Sequence, residues 1–403
     1  MYIDNSPARV GINIDQPNYL LSEEELQTIL FITSDKNVEY NKAIICFDLK
    51  NLLNAGYRRD SIAYNFCFGV FLQKKGMRVV LINKPPDISY VDFYSKKISK
   101  HSHYFICIES KEPKDVVSLD DYLKISKLEK LIFTSTNKDF SKEYANCERV
   151  VYYYLSGFDF DDFFENYILL DSGSITQTDE ADNLILNRDL NNINSELNED
   201  TLYVSLDSES IAKTDGGFDL IFSESFVENT DIDVYEAQGF PLYYPESAWI
   251  SRCAKVFPSK IQWLYKSFSK QITNQSEKIP DNSTTSIVFQ SQDIATSGCG
   301  KTSNLDMTID ERISLDWLCI AIRKKLWSVL YTDERIKADK NGESKLTASL
   351  VGVLDKAIDL EILKSWKSLE IKLNRESNTI GYQLLMQTNG SLLSINVDGN
   401  VYY

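Results

Sequence analysis

Short apolar runs alternate with segments of helical pattern between Ala43 and Leu155, and this alternation constrains the fold more than any other feature of the sequence. The runs AIICFDL, MRVVLIN, HYFICIE, KLIFT and RVVYYYL have the length and the β-branched content of buried strands. Helical patterns occupy 60–75, 89–100 and 118–127. Strands that alternate with helices predict a layered α/β domain, with a mixed sheet and flanking helices.

The segment 60–75 carries the clearest helical signal. Asp60 can cap its start, and Gly76 lies where a left-handed residue is expected to end the helix. The residues of its apolar stripe follow helical spacing: Ile62, Ala63, Phe66, Cys67, Val70 and Phe71.

Two further helices and several strands are predicted in the last part of the chain. Thr308 and Glu311 form a capping box, which places the start of a long helix at about Ile309. A second helix follows the turn 339–342 and is predicted to end near Trp366. The segments EIKLN, YQLLMQ and SLLSINVDGNVYY alternate between apolar and polar residues, as strands do.

The net charge of −16 is concentrated in one part of the chain. Residues 157–236 contain 21 acidic side chains and two basic ones, so the remainder is almost balanced. Such a charge distribution makes the chain a poor ligand for nucleic acid or for an anionic membrane. An acidic peripheral insertion is predicted at 171–233, with Asp215-Gly216-Gly217 as the turn of a hairpin between LYVSL and FDLIF. The alternative is that these strands complete the main sheet.

Aromatic side chains interleave with aspartates at the start of the acidic segment, where 158–164 reads FDFDDFF. Because the neighbours of the rings are carboxylates rather than lysines or arginines, the pattern does not suit the stacking of nucleic-acid bases. Packing in a core or at an interface between subunits is the favoured interpretation.

Seven cysteines are scattered through the sequence, mostly in apolar runs and without a C-x-x-C pair. This distribution predicts reduced, buried thiols rather than disulfides or a zinc site.

No run reaches the ~18 apolar residues of a membrane-spanning helix, and 1–16 lacks the pattern of a signal peptide. We therefore expect the protein to be made and folded in a cytoplasm.

Residues 295–302, ATSGCGKT, match a relaxed phosphate-loop pattern. In a phosphate loop the helix begins at the Gly-Lys-Thr, so that backbone N–H groups converge on the phosphates. Here the predicted helix begins only at about Ile309, which favours a turn between a strand and a helix. An α/β enzyme that depends on a nucleotide or a metal is the alternative function.

His101 and His103 share one face of a predicted strand, but the sequence shows no third metal ligand at a matching spacing. A solvated strand start is favoured for both. The acid pairs Asp159-x-Asp161 and Asp231-x-Asp233 are interpreted as parts of a solvated acidic surface. No catalytic residue, cofactor or metal site is predicted.

Aromatic residues, prolines and a glycine follow a fixed order in 234–403. A tyrosine and a proline precede Ala-Trp, then come a Pro-x-x-Ile-x-Trp element, an Asp-Trp-Leu on a long helix and a glycine before the next helix. The residues are Tyr244, Pro245, Ala248, Trp249, Pro258, Trp263, Asp316, Trp317 and Gly342. In these positions the chain resembles the tail sheath proteins of contractile phages and related sheath-like proteins.

The resemblance implies a structural subunit without enzymatic activity. Sheath subunits polymerise as stacked rings of six around a tail tube, and the sheath contracts to drive the tube through the host envelope. Extended terminal arms complete sheets of neighbouring subunits. Residues that alternate at the two ends of this chain suit that role: Val10, Ile12, Ile14, Leu393, Ile395, Val397 and Val401. In sheaths a helix near the carboxyl terminus faces the tube, which makes Lys356, Lys364 and Lys367 the candidates for contacts with tube carboxylates.

The predicted fold is thus a multi-domain α/β (α+β) sheath-like fold with a mixed sheet, an acidic β-rich insertion and extended terminal β arms. Its predicted divisions are an amino-terminal arm 1–20, an α/β part 21–170, the insertion 171–233, a core 234–388 and a carboxyl-terminal arm 389–403.

The implied partners are other copies of the chain, the tail tube protein, and baseplate and tail terminator proteins, with no nucleic acid and no insertion into a membrane. The implied location is the virion tail, after assembly in the host cytoplasm. Another structural protein of the tail or baseplate is the second alternative function.

Overall fold

The computed structural model describes most of the chain, which folds into two compact units. The sheet unit comprises Gln27–Lys255 and Tyr265–Leu305, and the terminal unit comprises Met1–Leu26, Val256–Leu264 and Asp306–Tyr403. The described residues are 25–58, 61–73, 77–98, 102–154, 244–264, 266, 300–304, 307–332, 339–374 and 379–389, together with isolated strands in 167–221 and 287–297.

Six strands of the sheet unit form one mixed sheet. They are β1 (Ile29–Thr33), β2 (Ala43–Cys46), β3 (Val79–Asn83), β4 (Phe105–Ile108), β5 (Leu131–Thr136) and β6 (Val150–Tyr154). The spatial order is β2-β3-β1-β4-β5-β6, in which β2 pairs antiparallel with β3 and all other neighbours pair in parallel. The α/β class and the mixed sheet predicted from the alternating sequence pattern are confirmed.

Helices cover both faces of this sheet. They are α1 (Leu49–Asn54), α2 (Ile62–Gln73), α3 (Tyr90–Phe93), α4 (Pro113–Ile125), α5 (Ser141–Tyr144) and α6 (Pro245–Ala254), with a π-helical turn at Tyr94–Ile98 after α3. On one face Leu30 of β1 belongs to the same buried apolar cluster as Val116 and Leu119 of α4. On the other face the ring of Phe31 stacks on Phe66 of α2, with ring centroids 4.1 Å apart. Parallel strands buried on both faces are apolar at every position, which explains the continuous apolar runs of the sequence.

The start of α2 differs in detail from the prediction. The Ser61 hydroxyl accepts a hydrogen bond from the Tyr64 amide at 3.1 Å, so the capping side chain is Ser61. The predicted cap Asp60 and the predicted stop Gly76 both lie outside the described residues. The helix α4 begins five residues before its predicted start, because Pro113 supplies the fixed φ that suits the first turn of a helix.

The other strands of the sheet unit form small separate sheets. They are β7 (Tyr167–Leu170), β8 (Ile175–Thr178), β9 (Leu184–Leu186), β10 (Tyr203–Leu206), β11 (Ser210–Thr214), β12 (Leu220–Ile221), β13 (Ile287–Gln290) and β14 (Ile294–Ser297). One sheet has the order β12-β11-β10-β7, while β8 pairs with β9 and β13 with β14. The described strands of 203–221 therefore do not complete the six-stranded sheet.

The predicted hairpin between LYVSL and FDLIF is wrong in its pairing. The strand β10, which contains YVSL, pairs with β11, and β11 pairs in turn with β12. The sequence pattern did not reveal β11 because its SIAKT contains only two apolar side chains. The borders of the acidic insertion stay a prediction.

Two helices and a long hairpin make up most of the described part of the terminal unit. These are α7 (Ile309–Thr332), α8 (Lys340–Asp359), β15 (Leu363–Asn374) and β16 (Thr379–Thr388). The capping box is confirmed, because the Thr308 amide donates to the Glu311 carboxylate at 3.1 Å and the Glu311 amide donates to the Thr308 hydroxyl at 3.3 Å. None of the helices that the structure describes is long and apolar enough to cross a bilayer.

The predicted end of the second helix near Trp366 is wrong, because α8 ends at Asp359 and Trp366 lies on β15. The chain leaves the helix at Glu361, whose φ is 61°. Three hydrogen bonds or ion pairs hold this corner: Ser259 Oγ donates to the Leu360 carbonyl at 2.5 Å, Lys260 Nζ lies 2.6 Å from the Glu361 carboxylate, and Asn389 Nδ2 donates to the Glu361 carbonyl at 2.8 Å. These partners come from distant parts of the sequence, so local periodicity carried no sign of them.

The capping box gives a test of how α7 is stabilised. Thr308→Ala removes the side-chain acceptor at the helix start, and we expect it to lower the free energy of unfolding by about 1 kcal/mol. The matched control is Thr332→Ala at the exposed end of the same helix, where the hydroxyl donates only to the Ser328 carbonyl. For this control we expect the free energy of unfolding to fall by less than about 0.5 kcal/mol. Urea unfolding of both variants measures the difference, and equal losses would contradict the assignment.

Candidate functional site

Four of the motif residues predicted from the sequence meet at the start of α6. The Tyr244 ring lies edge-on to Phe31 and Phe66, with centroid distances of 5.3 and 5.7 Å, and its hydroxyl donates to the Glu109 carbonyl at 3.1 Å. Pro245 begins the helix, where a missing N–H and a fixed φ are favourable. Tyr244 therefore connects the helix α6 to β1, α2 and the end of β4.

The rest of α6 is held against the sheet by Trp249. This side chain is fully buried, and its ring lies edge-on to Phe133 of β5 and Tyr153 of β6 at 5.8 and 6.3 Å. Ala248 is also fully buried. Ser251 donates to the Val70 carbonyl of α2 at 2.6 Å. The motif Tyr-Pro-x-x-Ala-Trp thus forms the contact of one helix with the sheet and with a second helix.

A buried ion pair lies beside Tyr244, at the carboxyl ends of the parallel strands. Lys111 Nζ is 3.5 Å from the Glu246 carboxylate, 2.5 Å from the Ser135 hydroxyl and 3.9 Å from the centroid of the Tyr244 ring. The Glu246 side chain is 1% exposed. Burial lowers the pKa of Lys111 to about 8, against the opposing effect of Glu246.

Glu109 occupies the position where open α/β sheets usually bind a ligand. That position lies between neighbouring strands whose connections leave in opposite directions, and β1 and β4 are such a pair. The Glu109 carboxylate accepts hydrogen bonds from the Ser34 amide at 2.5 Å and from the Thr33 hydroxyl at 3.0 Å. Burial raises the pKa of Glu109. A half-buried side chain of the protein itself is therefore hydrogen-bonded at this position.

The remaining motif residues lie in the terminal unit and are mostly buried. Trp317 is 4% exposed, with the Phe257 ring edge-on at 5.6 Å and Lys356 Nζ 5.8 Å from its centroid. Trp263 and Asp316 are buried, Pro258 is half-buried at the start of a 3₁₀ turn, and Gly342 lies in the first turn of α8. Their positions are those of packing residues of the helix pair.

The three candidate tube-facing lysines do not share one helix. Lys356 lies on α8, whereas Lys364 and Lys367 are exposed on β15, because the helix ends at Asp359. The candidate arm residues fall outside the described part of the chain: Val10, Ile12, Ile14, Leu393, Ile395, Val397 and Val401.

The described part of ATSGCGKT does not form a phosphate loop. Its first residues belong to the strand β14, and Gly300 has a φ of 68°. Directly after the motif, the Ser303 amide and hydroxyl both donate to the Val150 carbonyl at 2.9 and 3.0 Å. The segment thus runs beside β6, and α7 begins only at Ile309. The arrangement is a glycine-containing connection, as the sequence favoured.

The expectation of a solvated histidine is wrong for His103, while His101 lies outside the described residues. The His103 ring is fully buried, with Nε2 2.9 Å from the Tyr94 hydroxyl. A hydrogen-bond partner on the π-helical turn compensates for its burial. No group of three His, Cys, Asp or Glu side chains in the described residues could hold a metal ion. The pairs Asp159/Asp161 and Asp231/Asp233 lie outside those residues.

Six cysteines lie in the described residues as free thiols, five of them buried: Cys46, Cys67, Cys107, Cys147, Cys253 and, half-exposed, Cys319. Burial raises the pKa of Cys46 and of Cys147 to about 12, which keeps both thiols protonated. The predicted use of cysteines as small apolar side chains is confirmed for the five buried ones.

Comparison of the sequence with models of known protein families gives no match, and comparison with curated protein sequences gives none. Comparison of the fold with solved structures gives several matches. A chain of the anti-feeding prophage (AFP) baseplate is similar with a TM-score of 0.59 and 9% identity, over 100% of this chain and 98% of that chain. A chain of the AFP helical sheath in its contracted state is similar with a TM-score of 0.58 and 9% identity, over 99% of this chain and 98% of that chain.

A sheath tail protein from Listeria innocua gives a TM-score of 0.54 with 7% identity, over 91% of this chain and 92% of that one. The chain has the sheath fold. The resemblance predicted from the sequence is confirmed at the level of the fold, and the similarity extends over nearly the whole length of each chain. The motif residues of α6 and α7 are then packing residues of a sheath fold.

Sequence reasoning missed the polar cluster at the edge of the sheet. Lys84, 4% exposed, donates to the carbonyls of Pro85 and Ile88 at 2.9 and 2.7 Å, and Glu109, Lys111 and Glu246 complete the cluster. The sequence did contain a signal for this cluster, because Glu109 and Lys111 follow the apolar run HYFICI. Polar side chains in that place lie at the carboxyl end of a strand. Only the fold shows that Glu246 reaches the same place.

The ion pair of Lys111 and Glu246 can be tested by a double-mutant cycle. Lys111→Met leaves the buried carboxylate without its partner, and we expect a loss of about 3 kcal/mol in the free energy of unfolding. The double variant Lys111→Met/Glu246→Met should regain most of this loss.

The matched control is Lys260→Met, which breaks an exposed ion pair with Glu361 and should cost less than about 1 kcal/mol. Denaturant unfolding of the parent, Lys111→Met, Glu246→Met and the double variant gives the coupling energy. If the loss of unfolding free energy in the double variant equals the sum of the losses in the two single variants, the two side chains do not act together.

Proposed function

We propose that this chain is the structural subunit of a contractile sheath, which polymerises as stacked rings of six around a tail tube. Support comes from the fold, because chains of contractile sheaths match it over nearly their whole length. The Glu109 carboxylate, which is hydrogen-bonded to the end of β1 at the usual ligand position, further favours a structural role over the alternative of an α/β enzyme.

The observation that carries the proposal is the hairpin of β15 and β16. Its strands are 12 and 10 residues long, and in the described residues they pair only with each other. A sheet of two strands is marginally stable by itself, and its outer edges present unpaired N–H and C=O groups to another chain. The hairpin is therefore suited to accept further strands.

Those further strands are, in our proposal, the terminal arms of neighbouring subunits. The alternating segments that contain Val10, Ile12 and Ile14 at one end and Leu393, Ile395 and Val397 at the other have the pattern of edge strands. Main-chain hydrogen bonds would give affinity, at about 1 kcal/mol net for each bond. Exchanged arms would keep the subunits connected while each subunit rotates as a rigid body during contraction.

Contraction would drive the tube through a host envelope. The partners are then other copies of the chain, the tube protein, and the baseplate and terminator proteins at the two ends of the sheath. The place of action would be the tail of a virion or of a related injection system, assembled in the cytoplasm of the producing cell.

Removal of the arms tests this proposal. We expect a chain lacking 1–16, or one lacking 393–403, to fold but to form no cylinders in negative-stain electron microscopy, whereas the full chain forms hollow cylinders. Circular dichroism of the trimmed chains controls for folding. Discrete particles from the full chain would contradict the sheath function, and narrow tubes would favour another tail component. Ordinary cylinders from the trimmed chains would contradict the exchange of arms.

Charge reversal tests the contact with the tube. Lys356→Glu/Lys364→Glu/Lys367→Glu should leave cylinders of the sheath protein intact but weaken their loading on tubes, since surface ion pairs steer association. Co-sedimentation of the sheath protein with assembled tubes measures loading. A variant with Lys36→Glu/Lys42→Glu/Lys50→Glu carries the same charge change on exposed lysines of the sheet unit and serves as the control. Equal loading of both variants on tubes would contradict the proposal that these lysines contact the tube.

A further inference from the structure

A groove of about 470 Å³ lies between α7 and α8 in the terminal unit. Leu26, Trp317 and Ile320 are its buried apolar residues, and Ala321 and Val353 are half-buried. The volume falls within the range of sites that bind small molecules or anchoring side chains, about 300–1,000 Å³. The apolar lining comprises Leu26, Trp317, Ile320, Ala321 and Val353.

Gly352 keeps this groove open. It lies within the helix α8, where glycine is less favourable than almost any other residue. Glycine in a helix is often required because a neighbour approaches too closely for a side chain, but a Cβ added at Gly352 would meet no heavy atom within 4 Å. The missing side chain is thus not explained by packing within the chain, and its effect is to leave space in the groove.

The rim of the groove is positively charged. Three lysines lie on it: Lys324 and Lys325 of α7, and Lys356 of α8, whose Nζ lies 5.8 Å from the centroid of the Trp317 ring. Among the described residues that line the groove, none is acidic. An apolar floor with a basic rim is complementary to a segment that combines aromatic and acidic side chains.

The sequence of this chain contains such a segment. Residues 158–167, FDFDDFFENY, consist of five aromatic residues, four acidic residues and one asparagine. We propose that the groove binds residues 158–167 of a second copy of this chain, with aromatic rings in the groove and carboxylates on Lys324 and Lys325. The inference rests on the proposed function, because a sheath places many copies next to one another.

A peptide of residues 156–168 with a fluorescent label probes the groove directly. Its anisotropy is titrated with the full-length chain carrying Asp159→Lys/Asp161→Lys/Asp162→Lys, whose own segment cannot compete. We expect saturable binding that weakens with salt. Lys324→Glu/Lys325→Glu in that chain should weaken binding at least about tenfold, since like charges then meet.

Two further variants keep the test independent of folding. Gly352→Leu fills the groove without changing charge, and we expect it to weaken peptide binding to the same extent while the helix remains intact. Lys340→Glu/Lys345→Glu changes two exposed lysines of α8 that do not line the groove, and it should bind the peptide as the parent does. Equal affinity for all variants, or equal affinity for a peptide with every acid replaced by its amide, would overturn the proposal.

A mixing experiment tests whether the segment comes from a second copy. Chains with a reversed groove, Lys324→Glu/Lys325→Glu, should cross-link to chains with a reversed segment, Asp159→Lys/Asp161→Lys/Asp162→Lys, more than either variant cross-links to itself. Contact only within single chains, or binding of a peptide of residues 8–24 in place of 156–168, would overturn it.

Electron microscopy of the same samples separates this inference from the proposed function. Cylinders of the full chain with no binding of the peptide contradict the docking alone. Peptide binding without cylinders contradicts the sheath function alone.

Discussion

The sheet unit holds together only because both faces of its parallel sheet are buried. Apolar strands of this kind are stable only if helices cover each face. One cover is supplied by α4 and its neighbours, and the other by α2 together with α6, which comes from a remote part of the sequence. Tyr244 and Trp249 make the second cover, and burial of each large side chain contributes on the order of 2 kcal/mol.

The same arrangement determines what the carboxyl edge of the sheet can do. In many α/β proteins that edge is open to a ligand. Here the Glu109 carboxylate accepts hydrogen bonds from Thr33 and Ser34 at the end of β1, and Lys111 pairs with Glu246. Charged groups in such a place are costly to bury unless they are paired. The pairing therefore turns a common binding position into a structural joint between the sheet and α6.

The terminal unit presents the opposite situation. Its hairpin has long strands with free outer edges in the described residues, and its helix pair has a groove that Gly352 leaves open. Both are surfaces that one copy of the chain leaves incomplete. A protein that assembles into a polymer can use such surfaces, because the missing strands and side chains arrive with its neighbours.

Local sequence was sufficient to predict the α/β class and the capping box at Thr308, because each depends on periodicity or on spacing within one turn. The motif residues came instead from the resemblance to sheath proteins. Local sequence was not sufficient to predict where α8 ends, since the corner at Glu361 is held by Ser259 and Asn389 from distant parts of the chain. It also carried no sign that His103 is buried, or that Glu246 meets Lys111. These features follow from the tertiary structure, because burial and pairing depend on which remote side chains the fold brings together.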